Sequence, residues 1–145
     1  MSLRLAYGDG EDCNFTPLTA ISGTTPIVSR VIDMRNFDDV SLQLISSGGS
    51  LVWLIEASND FVAATNGTAY GSISNGTSPV GTFTDITALF TVPAGTAIVN
   101  PSGAALTQFV MPKTRLRCRA LRITATPSAG SGNVSVLGNC SCWGG

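Results

Sequence analysis

Residues 38–58, DDVSLQLISSGGSLVWLIEAS, alternate apolar and polar side chains on both sides of a Gly-Gly pair. Val40, Leu42 and Leu44 fall on one face, with Ser41 and Gln43 on the other; after the glycines, Leu51, Trp53, Ile55 and Ala57 again share a face. A period of two suits a pleated strand with one buried side and does not suit a helix, whose apolar stripe recurs every three to four residues. The stretch therefore predicts two strands, and Gly48-Gly49 predicts a hairpin turn between them.

The rest of the chain carries the same signals at short spacing. IVSRVIDMR reads as a strand turned by NFDD; VGTFTDIT and LFTVP read as short strands; PAGTAIVNPSGAA is turn-rich; LTQFVMP is a strand stopped by Pro112. RLRCRALRITAT is the longest strand signal, but its period slips. Leu116 and Cys118 share one parity, whereas Leu121, Ile123 and Ala125 share the other, which predicts a bulge near Arg119–Ala120. PSAGSG then predicts a turn into a final strand, NVSVLGNCSCW. Only DCNFTPLTAIS has an ambiguous, helix-like pattern. The expected fold is all-β: a single antiparallel β-sandwich of about eight strands, jelly-roll-like. Residues 1–26 are expected to form an N-terminal arm and 27–145 the sandwich domain. Its predicted core is Leu42, Leu44, Trp53, Ile55, Leu121, Ile123, Val134 and Val136.

Composition agrees. Charged residues make up 12% of the 145 positions and hydrophobic ones 43%, too apolar for disorder and too poor in charge for a helical bundle. No segment has the run of about 18 apolar residues that crosses a bilayer as a helix, and the opening MSLRLAYGDGED lacks the apolar core of a secretion signal. Without such a signal, the N-x-[ST] sequons at Asn14, Asn66, Asn75, Asn133 and Asn139 read as by-products of an Asn/Ser/Thr-rich chain.

Charge is segregated. All nine acids lie within residues 1–85, while Lys113, Arg115, Arg117, Arg119 and Arg122 cluster in ten residues. Such a ridge is either the solvated face of one strand or a surface that meets acidic partners, within the chain or on another subunit. Lys113, Arg115, Arg117 and Arg119 are therefore interface candidates. A net charge of −1 and the lack of interleaved aromatics argue against nucleic acid.

The chain has no histidine, which removes the commonest general base and transition-metal ligand. Asp38-Asp39 fits a turn, where Asp bonds its own backbone, and no phosphate-binding or dinucleotide motif is present. An enzyme, a cofactor and a bound metal are not expected. The loop YGDGEDCN gathers Asp9, Glu11, Asp12 and Asn14, hard oxygen ligands of the kind that hold calcium, but its spacing is not that of an EF-hand. A solvated arm is the preferred reading. Residues 60–79 form a long polar connection with two Asn-Gly turns, a length usually associated with function; this loop and the arm are the favoured contact segments.

Three segments, VIDMRNFDDVSLQLISSGGSLVWLIEASND, FTDIT and RCRALRITATPSAGSGNVSVLG, resemble a small β-sandwich module found in structural proteins of tailed-bacteriophage virions. In that module a D-[LM]-R turn leads into a hairpin and an E-x-S-N-D corner, and a later R-a-[LY]-R-[IV] strand pairs with a G-x-V-x-V strand. The layout is similar to discoidin-like and carbohydrate-binding jelly rolls. The resemblance spans roughly residues 27–60 and 113–138. It implies a virion structural protein, in the first place a capsid decoration or cement protein and in the second a neck, collar or tail accessory protein. Such a protein is assembled in the host cytoplasm, binds other virion proteins and its own copies, and does not bind nucleic acid or membrane. The alternative is a carbohydrate-binding module for host attachment, with Phe61, Tyr70 and Trp143 as candidate stacking residues.

Four cysteines remain: Cys13, Cys118, Cys140 and Cys142. Residues two apart on a strand lie about 7 Å apart on one face, so Cys140–Cys142 is disfavoured. The spacing C-x-C fits neither the redox C-x-x-C motif nor the usual zinc pair. Buried free thiols and structural disulfides both remain open. If PSAGSG makes a hairpin, position 118 falls opposite about position 140, and Cys118–Cys140 is the preferred bond; Cys142 would then reach Cys13 or a neighbouring subunit.

Overall fold

The computed structural model describes residues 14–34, 37–60 and 82–141. The described chain is a β-sandwich of two antiparallel sheets. The strands are β1 (Asn14–Ala20), β2 (Ile27–Val28), β3 (Ile32–Asp33), β4 (Asp39–Ser46), β5 (Gly49–Ser58), β6 (Thr84–Asp85), β7 (Phe90–Thr91), β8 (Ser102–Gly103), β9 (Leu106–Pro112), β10 (Ala120–Ala129) and β11 (Asn133–Ser141). One sheet has the order β1-β11-β4-β9-β7. The other runs β2-β10-β5-β6, with β3 also pairing β10 and β8 also pairing β5.

The predicted core is the observed one. Leu42 and Leu44 from β4 face Trp53 and Ile55 from β5, with Leu121 and Ile123 from β10 and Val134 and Val136 from β11; all are 3% exposed or less. Phe90, Val110, Met34 and Leu116 complete the cluster. Burying a large apolar side chain contributes about 1.5–3 kcal/mol, so these facing rows are the main force holding the sheets together.

Neither predicted hairpin forms. β4 pairs with β11 and β9, whereas β5 pairs with β10, β6 and β8, so the turn at Ser47-Gly48 carries the chain from one sheet to the other. The PSAGSG turn does the same, since β10 belongs to the second sheet and β11 to the first. Alternation reports which side of a strand is buried, and it is identical whether the next strand lies beside it or across the core. The two crossings pack backbone against backbone. A Cβ on Gly48 would lie 2.8 Å from Ser131 O, and one on Gly132 would lie 2.8 Å from Gly48 N. Glycine is required there for close approach.

Other boundaries differ as well. The ambiguous DCNFTPLTAIS stretch contributes β1, paired with β11, so residues 14–20 belong to the sandwich and not to an arm; residues 1–13 lie outside the described residues. IVSRVIDMR is split into β2 and β3. Between them Ser29, 1% exposed, donates its N–H to Ile123 O, and its Oγ accepts from the Ile123 N–H. The hydroxyl thereby takes the place of a ladder carbonyl. The predicted bulge at Arg119–Ala120 is instead the start of β10, with Leu116 and Cys118 on non-strand chain before it. The register shift in β10 falls between Pro127 and Ala129, where proline has no N–H to offer the ladder.

Candidate interaction surface

Residues 113–119 leave β9 after Pro112 and cross one end of the sandwich without joining a sheet. Backbone bonds fix their path: Lys113 N–H to Leu89 O at 2.9 Å, Leu116 N–H to Asp38 O at 2.9 Å, and Arg119 N–H to Ser58 O at 3.1 Å. Leu116, 7% exposed, anchors the segment in the core. This leaves the intervening basic side chains at the surface.

The basic ridge is divided. Arg122 Nε lies 2.9 Å from Glu56 Oε1, and its guanidinium stacks 4.1 Å from the centroid of the Phe83 ring. Arg115 Nε lies 3.3 Å from Asp38 Oδ2 at a more exposed position, where an ion pair contributes about 0–1 kcal/mol. Lys113, Arg117 and Arg119 are exposed. Part of the ridge thus meets acids of its own chain, and the remainder faces solvent.

Arg119 also donates its N–H to Asn59 Oδ1 at 3.0 Å. Beside it, Ser58 Oγ donates to Asp60 Oδ1 at 2.7 Å, and the Thr82 N–H donates to the same oxygen at 2.8 Å. The Ser58 hydroxyl, followed by the Thr82 amide, holds the Asp60 carboxyl below its usual pKa. The corner Glu56-Ala57-Ser58-Asn59-Asp60 is therefore bonded to the run Arg119-Ala120-Leu121-Arg122 at both ends. Both motifs are legible in the sequence, but their contact and the parts of Phe83 and Ser29 are not.

Next to this corner lies an open cleft of about 490 Å³. Ala57, Ile86, Leu89 and Leu116 give its lining an apolar part, and Ser58, Asp60, Thr82 and Thr84 a polar one, with Arg117 and Cys118 beside them. Burial pushes the Cys118 thiol up to about 11, so it is protonated at neutral pH and a poor nucleophile.

Cys118 and Cys140 are not joined to each other. The expected bond depended on a β10–β11 hairpin, and that hairpin does not form, because the two strands lie in opposite sheets. Both side chains pack on the core instead, with Cys140 Sγ 3.9 Å from Met34 Sδ. Cys13, Cys142, the Asp9–Asp12 loop, residues 61–79 of the long connection and the aromatic candidates Phe61, Tyr70 and Trp143 lie outside the described residues.

No family model, curated protein or solved structure matches the chain. Among the described residues, no helix is long and apolar enough to cross a membrane.

Proposed function

We propose that this protein is a structural subunit of a tailed-phage virion, acting by subunit–subunit binding, with capsid decoration as the leading role and a neck, collar or tail position as the second. The observation that carries the reading is the lock between the E-A-S-N-D corner and the R-A-L-R run. These are two of the motifs that carry the resemblance, and they meet through the Glu56–Arg122 ion pair and the Arg119 N–H on Asn59. The order of strands also supports a jelly-roll winding: β1, β4, β9 and β11 lie in one sheet, and β2, β5, β6 and β10 in the other.

The exposed Lys113, Arg117 and Arg119, free of the intrachain pairs made by Arg115 and Arg122, supply a cationic end for an acidic neighbour. The carbohydrate-binding alternative rests on the open, hydroxyl-lined cleft. The experiment is reversal of Arg117 and Arg119 to Glu: incorporation into particles falls while the isolated protein melts normally. Undiminished incorporation would remove the cationic end from the account, and specific binding on a glycan array would favour the alternative.

A further inference from the structure

We infer that the outer face of the five-stranded sheet is a docking surface for a second copy of this chain. The inference rests on the reading of the protein as an assembling subunit and names the surface involved.

Edge-to-edge pairing is disfavoured by the fold. β2, β3, β6, β7 and β8 are two residues each. At one edge of the five-stranded sheet β1 contains Pro17 and shifts register both between Asn14 and Thr16 and between Thr16 and Thr19; at the other, β9 beyond its two pairs with β7 is flanked by Val99, whose backbone N–H and carbonyl are both bonded by the Gln108 side chain. Proline and bulges blunt an edge against strand addition.

The outer face is different. Phe109 of β9 stands opposite Gln43 of β4, which stands opposite Leu137 of β11. Phe109 is 53% exposed, and Leu18 on the neighbouring β1 is 70% exposed. Half-buried Ile45 and Met111 flank this row. Among the described residues the only charged side chain on the face is Asp39, at the start of β4. The other sheet presents Arg122, Glu56 and Asp85 on its outer face, and the end of the sandwich carries the cationic segment. A second copy brings the same charges, so a charged face repels its twin; a face without charge does not.

Gln43 occupies the middle of the row and makes no side-chain hydrogen bond among the described residues. A primary amide is its own complement, since one donates and accepts in return to another. The four long strands β1, β11, β4 and β9, spaced about 4.8 Å apart, span about 500 Å², below the roughly 800 Å² per partner of a stable interface. The pair is therefore weak in solution and becomes effective where many copies are held together on a particle.

The test is sedimentation equilibrium of the purified chain from micromolar to millimolar concentration. Wild type shows reversible association. Phe109→Asp weakens it at least about tenfold, Gln43→Glu and Gln43→Lys each weaken it, and mixing those two charge variants restores it, because opposite charges then meet. Val52→Asp, on the opposite sheet, leaves association unchanged. A monomer at every concentration overturns the inference, as does association that responds to Val52→Asp and not to the Gln43 variants. The mixing arm stays decisive even where Phe109→Asp does not fold. The two readings fail separately: a monomer that still enters particles overturns this surface alone, whereas a dimer absent from particles overturns the virion reading and leaves the surface standing.

Discussion

Arg122 and Glu56 sit directly opposite each other on β10 and β5, joined by a 2.9 Å Nε–Oε1 hydrogen bond. The arginine side chain is 28% exposed and the glutamate 13% exposed, so solvent screens the pair only in part. Asp85 of β6 stands on the other side of Glu56. Without Arg122, Glu56 would face Asp85 on one side with no cation on the other. Arg122→Met is expected to cost about 1–3 kcal/mol, and a double-mutant cycle with Glu56→Gln to show a coupling of about 1 kcal/mol by urea denaturation. A coupling near zero would reduce the contact to surface decoration.

Ser29→Ala removes the acceptor of the buried Ile123 N–H. An orphaned buried donor costs about 1–3 kcal/mol. Hydrogen exchange at the Ile123 amide should accelerate along with the loss of stability; an unchanged amide would mean that another acceptor takes over.

Gly132→Ala places a Cβ 2.8 Å from Gly48 N on a backbone with φ of 151°. Pushing the two crossings apart is expected to cost about 1–3 kcal/mol. A control at Gly95, where a Cβ meets nothing within 4 Å, separates the clash from backbone strain, since Gly95 also has positive φ. Equal losses at both sites would assign the effect to strain alone.

Cys118 makes stability depend on pH in the alkaline range. Its thiol has a folded pKa of about 11, raised by burial from 9.0. Below pH 9 the thiol is neutral in both states and contributes no pH dependence. As pH rises from about 9 to about 11 the unfolded chain ionises first, so stability falls across that window. Cys118→Ser should flatten this decline in pH-dependent melts. Maleimide labelling of the native protein at pH 7 should be slow at Cys118; rapid labelling would contradict the burial.

The buried faces were legible in sequence because alternation is a local property: Leu42, Leu44, Trp53 and Ile55 declare their sides within a few residues. Strand neighbours were not, because pairing depends on segments far along the chain. Gly48 and Gly132 signal backbone contact, yet a Gly-Gly pair also suits a hairpin, and that ambiguity carried the Cys118–Cys140 expectation with it. The basic cluster was visible as charge, but Glu56 lies 66 residues from Arg122, and nothing local marks the acid as its partner. In sequence Ser29 is indistinguishable from an ordinary strand residue, since a hydroxyl replacing a carbonyl leaves no pattern.

The central claim is that the chain is a built-in part of a virion, and a cryo-EM map of gradient-purified particles tests it most directly. The account predicts density fitting the two-sheet sandwich at symmetry-repeated positions on the capsid, neck or tail, with the Lys113, Arg117 and Arg119 end turned toward an acidic neighbour. Particles complete in every position but containing neither this density nor peptides of the chain would contradict it.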